Sequence, residues 1–202
     1  MQTENQFDEA IQRIDAANRQ DPRTEMVDGR AEPREWFFAR RVVQWVERLA
    51  ANPSEELLLA ARAHTIRRWM IPRDRYPMSV AGYHHWRNAL AVFHADEAEA
   101  ILREVGYPAE TVQAVRAFIT RANWPANAEA CVLEDADCLV FLETKLAGYI
   151  DAWGEPKTVR ILQRTWKKMT PEGRARALEL KLGAREMELV RRAVGGRNAE
   201  TP

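Results

Sequence analysis

An all-α fold is predicted by three observations. Apolar residues recur at steps of three and four along almost the whole chain, while strict alternation is nearly absent. Helix start and stop signals fall between the apolar stripes. With 46% hydrophobic and 30% charged residues over 202 positions, the chain can bury a core and still present a charged surface. The expected architecture is a helical bundle of about eight helices in a single domain, residues 1–202. It comprises an N-terminal helix and loop (1–28), a core (33–153) and a C-terminal helical pair (156–194).

Phe7, Ala10, Ile11 and Ile14 make a short stripe on a first helix, which ends in the polar stretch from Asn18 to Arg23 and an Asp28-Gly29 turn. Pro33 suits a first helical position and opens a second helix to Leu49, with Val42, Trp45 and Val46 inward. Asn52 reads as the cap of a third helix, with Pro53 in its first turn and Glu55 three residues after the cap. That helix carries Leu58, Ala61, His64, Ile66 and Trp69 until Ile71-Pro72 breaks it. Ser79 opens a long fourth helix with the stripe Leu90, His94, Ala98, Ile101 and Val105, stopped by Gly106. A fifth runs from Ala109 to about Ala122, and a sixth, the most apolar, from about Ala126 to Tyr149. Val159, Leu162 and Trp166 mark a seventh, Thr170-Pro171 starts an eighth, and the end from Gly195 is expected to fray.

Composition argues against several function classes and makes a nucleic-acid partner an unfavoured expectation. Lys plus Arg (30) balances Asp plus Glu (30), so no global field draws the chain to nucleic acid, and no nucleic-acid motif is present. Two cysteines, Cys131 and Cys138, cannot build a disulfide scaffold or a four-thiolate zinc site. No leader pattern and no apolar run of membrane-spanning length is seen, so a cytoplasmic protein with no membrane partner is expected. Phosphate-cradling glycine loops and Gly-x-Ser-x-Gly elbows are also missing. The charge is locally uneven: acidic residues dominate from Ala126 to Asp151 and basic ones from Lys157 to Arg197.

Two constellations could carry chemistry. The four histidines, His64, His84, His85 and His94, lie close in sequence, and His64 and His94 stand on apolar stripes. Neutral imidazoles and a carboxylate converging from separate helices are what a divalent ion requires. Glu134, Asp135 and Asp137 on the sixth helix are the available acids, with Asp135 on the face of Cys131, Leu139 and Leu142. The second constellation is cationic: Arg62, Arg67, Arg68, Arg73 and Arg75 near Trp69 and Tyr76, with Arg40, Arg41, Lys167 and Lys168 on other helices. Guanidinium forks bind phosphate and stack on aromatic rings, so this set suits a nucleotide or other phosphoester.

The segments LLLAARAHTIRRW, FHADEAEAILREVGY and LEDADCLVFLE, in that order, resemble the helical HD-domain phosphohydrolases. The resemblance implies an HD-like core over 33–153 and a metal-dependent phosphohydrolase acting on a nucleotide or other phosphoester. His64 matches the motif His, His94 the later-helix His, and Asp135 or Asp137 the last Asp. It implies that His64, His94 and Asp135 hold one divalent ion (Mn, Fe, Zn or Ni) and carry catalysis. Arg40, Arg41, Arg67 and Arg68 would clamp the phosphate, joined by Lys167 and Lys168. Three positions depart from that pattern: Thr65 replaces the signature Asp, Phe38 stands for the first His, and Arg121 and Asn123 appear where a further His is expected. These departures supply the alternative, a non-catalytic HD-like module that binds an anionic small molecule or a protein partner. Over nearly the whole chain, ARR, RAHTIRRW, IPR, FHA, LEDADCLVFLE and TWKKM are similar to the family of domain of unknown function 4202, which implies a shared fold and no particular activity.

Overall fold

The apolar stripes fold as helices. The computed structural model describes residues 2–195, with side chains from residue 5, and its fold is predominantly all-α. Among the described residues there are ten α-helices, one two-stranded hairpin and two single turns of 3-10 helix. The frayed end expected beyond Gly195 lies outside the described residues. Compactness divides the chain into two units, Met1–Leu133 and Glu134–Pro202. No helix among the described residues is long and apolar enough to cross a membrane.

The first unit holds α1 (Gln2–Asn18), β1 (Thr24–Val27), β2 (Arg30–Pro33), α2 (Arg34–Leu49), α3 (Glu55–Ala63), α4 (Val80–Val105), α5 (Ala109–Thr120) and the start of α6 (Ala128–Thr144). The antiparallel hairpin, paired from Thr24↔Pro33 to Val27↔Arg30, is absent from the sequence expectation. Its four-residue strands bury nothing fully, so no alternation marks them. The Asp28-Gly29 turn between them has two positive φ angles, 48° and 80°, the geometry of a two-residue hairpin loop. Buried Asp21 anchors the hairpin, accepting from the Arg23 and Glu35 backbone N–H groups (3.0 and 3.2 Å). Arg23 in turn bridges the Asp21 and Glu35 carboxylates at 2.9 and 2.8 Å.

α3 packs on α1, α2, α4 and α5, burying Leu57, Leu59, Ala60, Ala61 and Ala63. Two expectations about it need correction. Its cap is Ser54 rather than Asn52, because the Ser54 hydroxyl accepts from the Leu57 N–H at 3.1 Å. The helix stops at Ala63 rather than Trp69, where Ile66 N–H closes a tighter turn on the Ala63 carbonyl (2.9 Å) and Arg67 enters the left-handed region at φ 50°. α4 follows expectation: Ser79 caps it, and Gly106 at φ 91° ends it in the conformation glycine adopts without strain.

The second unit holds the remainder of α6, then α7 (Leu146–Trp153), α8 (Glu155–Lys168), α9 (Pro171–Glu179) and α10 (Ala184–Gly195). The sixth expected helix is two helices, broken at Lys145. Just before the break the Thr144 hydroxyl donates to the Val140 carbonyl, a back-bond that bends helices. The eighth is also two, α9 and α10, with Leu180 leaving helical geometry at ψ 138°. Leu139, Leu146, Ile150, Leu162 and Leu189 are fully buried or nearly so, each contributing about 1.5–3 kcal/mol by leaving water.

Ser54 does more than cap α3. Its N–H and hydroxyl donate to the two Glu129 oxygens at 2.8 and 2.6 Å. Ser54→Ala is expected to cost about 2 kcal/mol in urea denaturation, with Thr at this position restoring most of it. A loss below a few tenths of a kcal/mol would show that the latch contributes nothing.

Candidate functional site

The turn that ends α3 brings two imidazoles into one electrostatic neighbourhood. His64 is the C-cap of α3, and its Nδ1 lies 2.9 Å from the Ala61 carbonyl oxygen. His94, on the buried face of α4, has its Nδ1 2.7 Å from the Ile66 carbonyl oxygen. A carbonyl oxygen only accepts, so each Nδ1 carries a hydrogen, and in the neutral His94 ring the lone pair lies on Nε2. His94 is 2% exposed, and its Nε2 has no hydrogen-bond partner. Thr65, next to Ile66, likewise holds a buried hydroxyl without a partner. Leaving a buried polar atom unmet costs about 1–3 kcal/mol, so both atoms would gain from a partner at this turn.

Burial and cationic neighbours both act on His94. Burial first, and then the charge of Arg68, push His94 down to about 3; His64 and Arg87 act in the same direction, against the Ile66 hydrogen bond. His94 is therefore a neutral acceptor at pH 7. Arg68 lies over the Trp86 ring at 4.9 Å, and the Trp86 indole N–H donates to the Ile71 carbonyl at 2.9 Å, holding the aromatic plate in place. Arg73 also faces this ring (5.9 Å) while its guanidinium donates to the Tyr76 and Pro77 carbonyls at 2.9 and 2.8 Å.

Four further expected cations, Arg62, Arg67, Arg40 and Arg41, are engaged by protein groups. Arg62 grips buried Asp15 through two bonds of 2.6 Å, tying α3 to α1. Arg67 pairs with Glu97 at 2.7 Å, and its backbone N–H donates to Asn18 Oδ1 at 3.2 Å. Arg40 pairs with Glu32 (3.2 Å) and stacks on Trp36 (4.4 Å), whose ring also carries Arg19 at 4.5 Å. Arg41 donates to Gln44 at 2.5 Å. His84 and His85 are exposed on α4. Arg87 was missed by sequence reasoning, although it precedes His94 by seven residues and so shares its helix face. Thr65 was noticed only as a departure from the HD pattern.

Asp135, the third expected ligand, belongs to the second unit and is 3% exposed. Its Oδ1 accepts the Thr170 N–H at 2.9 Å, and its Oδ2 accepts the Thr170 hydroxyl. That hydroxyl in turn accepts from Gly173 N–H at 3.1 Å, so Asp135 anchors the first turn of α9. Burial raises its pKa and the two Thr170 bonds oppose the rise; neighbouring Glu134 adds to it, while Arg174 lowers it. Buried Glu134 pairs with Lys168 at 3.2 Å, Lys167 is exposed, and Asp137 is half-buried.

A divalent ion is the group the HD resemblance implies. Two donors suit it, because metal-bound histidines commonly anchor their other ring N–H on a carbonyl as His64 and His94 do. The set as a whole does not. Both Asp135 oxygens are engaged by Thr170, guanidinium charge surrounds His94, and among the described residues no three His, Cys, Asp or Glu side chains are placed to hold a metal.

Between pH 6.5 and about 3 the unfolded chain binds a proton on residue 94 that the folded chain refuses, so stability falls as pH falls. His94 is expected to account for roughly 2–3 kcal/mol of the loss between pH 7 and 4.5. Urea denaturation of His94→Gln should show that much less pH dependence; an unchanged profile would contradict the burial argument. In the second unit, a Cβ on Gly173 would lie 2.3 Å from Asp135 Cγ. Gly173→Ala should therefore destabilise by about 1–3 kcal/mol despite alanine's higher helix propensity, and a gain in stability would contradict the close approach.

A model of the family described as "Domain of unknown function (DUF4202)" matches residues 8–190, and the chain belongs to that family. No curated protein and no solved structure matches it.

Proposed function

We propose that this DUF4202 member recognises a small phosphorylated molecule at the turn following α3. In this reading Arg68 and Arg87 supply the charge for the phosphate, and His94 Nε2 accepts a hydrogen from a ligand hydroxyl or a protonated phosphate oxygen. One observation carries it: a buried imidazole nitrogen without a hydrogen-bond partner, on a ring that burial and then the charge of Arg68 hold neutral. Positive neighbours attract an anion and repel a divalent cation, and the effect grows in a partly desolvated site. The Trp86 ring beneath Arg68 keeps the guanidinium in position, leaving less side-chain freedom to lose on binding. The likeness of RAHTIRRW and FHA to HD-domain phosphohydrolases supports the same location.

The second reading is a metal-dependent phosphohydrolase in which His64 and His94 supply imidazole ligands, and the carbonyl-anchored Nδ1 atoms favour it. Arg68→Ala separates the two. Thermal unfolding is followed with inorganic phosphate, with AMP, and with Mn or Zn ions. Phosphate recognition predicts that a phosphate ligand at a hundred times its dissociation constant adds about 2.7 kcal/mol, and that Arg68→Ala abolishes this. The metal reading predicts stabilisation by the ions instead, made stronger by Arg68→Ala because a repelling charge is gone. If neither class of ligand moves the transition, both readings fail.

A further inference from the structure

Among the described residues, the outer face of α8 carries a row of cations without acidic partners. Thr158, Leu162 and Trp166 form its buried side at a constant step of four. Lys157, Arg160, Arg164 and Lys167 are exposed at steps of three, four and three, so they line one outer stripe roughly 15 Å long. Several arginines on other helices are paired: Arg103 with Glu99 (2.8 Å), Arg116 with Asp96 (2.6 Å), Arg176 with Glu172 (2.9 Å) and Arg192 with Glu155 (2.8 Å). Among the described residues, Arg160, Arg164 and Lys167 have no such partner. The one acid on α8, Glu155, is taken by Arg192 and Arg185. Unpaired like charges at helical spacing repel one another, so folding alone does not explain the row.

An aromatic ring stands at the N-terminal end of this stripe. Trp153, the last residue of α7, is 43% exposed; Lys157 Nζ lies 4.2 Å over its ring, and Tyr149 meets it edge-on at 4.4 Å. We infer that the outer face of α8, together with Trp153, binds single-stranded nucleic acid, with successive phosphates on Lys157, Arg160, Arg164 and Lys167 and a base stacked on the Trp153 indole. A single phosphate cannot span the stripe, whereas an extended polyanion can. Cations in a row beside an exposed aromatic are what sequence-tolerant single-strand binding requires. A membrane surface fits less well, since the apolar side of α8 is buried by its own unit and has nothing to insert. The zero net charge of the chain is no obstacle, because counterion release depends on the cations in contact and not on the total. This inference rests on the second unit alone and stands apart from the phosphate site of the first.

The test uses the full chain and fluorescein-labelled oligo-dT and oligo-U of about 20 nucleotides, read by anisotropy. Four phosphate contacts predict a slope of log K against log salt of about −2.8, or about a 50-fold loss of affinity between 50 and 200 mM salt. Arg164→Ala should reduce the slope by about 0.7, and the double variant R160E/R164E should abolish binding with an unchanged circular dichroism spectrum. R30E/R48E, the same charge change on exposed residues of the first unit, should bind as wild type. Binding should quench tryptophan fluorescence, and Trp153→Leu should remove that quench. The inference is overturned if neither oligonucleotide binds at low salt or if R160E/R164E binds normally. It is equally overturned if the stripe binds only phosphatidylcholine vesicles containing about one-fifth phosphatidylserine.

Discussion

The hydrogen bond from His94 Nδ1 to the Ile66 carbonyl, 2.7 Å long, joins α4 to the turn after α3 and sets most of what the first unit can do. It fixes the ring's orientation and decides which nitrogen keeps the lone pair. It also gives a partner to a carbonyl on the fully buried Ile66. Two ties from α1 support the same turn: Asp15 holds Arg62, and Asn18 accepts the Arg67 N–H. With the backbone held from both sides, His64, Thr65 and Arg68 project from a fixed frame. A recognition site needs that condition, since binding energy is otherwise consumed in ordering the loop.

Asp135 and His94 meet burial by different means. In the second unit, Asp135 finds three linked groups, Thr170 N–H, Thr170 hydroxyl and Gly173 N–H, and its burial is offset by the helix start it organises. Its job there is architectural. In the first unit His94 is left neutral, chiefly by burial and then by the charge of Arg68, with one nitrogen satisfied and one unmet. A saturated network stabilises, whereas an unsaturated one costs stability and is tolerated where it serves recognition. By this criterion, His94 and not Asp135 is the residue on which the proposed recognition depends.

Much of the fold was legible because helix periodicity and capping chemistry are local. Ser79, Gly106, Pro108 and Thr170 stand at helix ends as their side chains and backbone demand. What could not be read depends on tertiary partners. Asn52 and Ser54 are both capable caps, and the choice goes to Ser54, which also meets Glu129 from seventy-five residues away. The early end of α3 depends on Asn18 and His94 binding the turn. The hairpin is too short and too exposed to leave a period-2 trace. For the site, His64, His94 and Arg68 were readable from stripe positions and the arginine cluster. The engagement of Arg40, Arg62 and Arg67 was not, because ion pairing is decided by which helices become neighbours. Asp135 pointed inward as its face implied, but the sequence could not show that Thr170 would occupy both of its oxygens.

The central claim is that His94 is locked as the neutral Nδ1–H tautomer with its Nε2 held ready for a ligand. Nitrogen-15 NMR of the imidazole rings, assigned with His94→Gln, measures this directly. The account predicts that the His94 ring stays neutral, with the hydrogen on Nδ1, from pH 8 to pH 5, and that its Nε2 resonance moves when phosphate or AMP is added. A ring that titrates near the ordinary 6.5, or one carrying its hydrogen on Nε2, would contradict it.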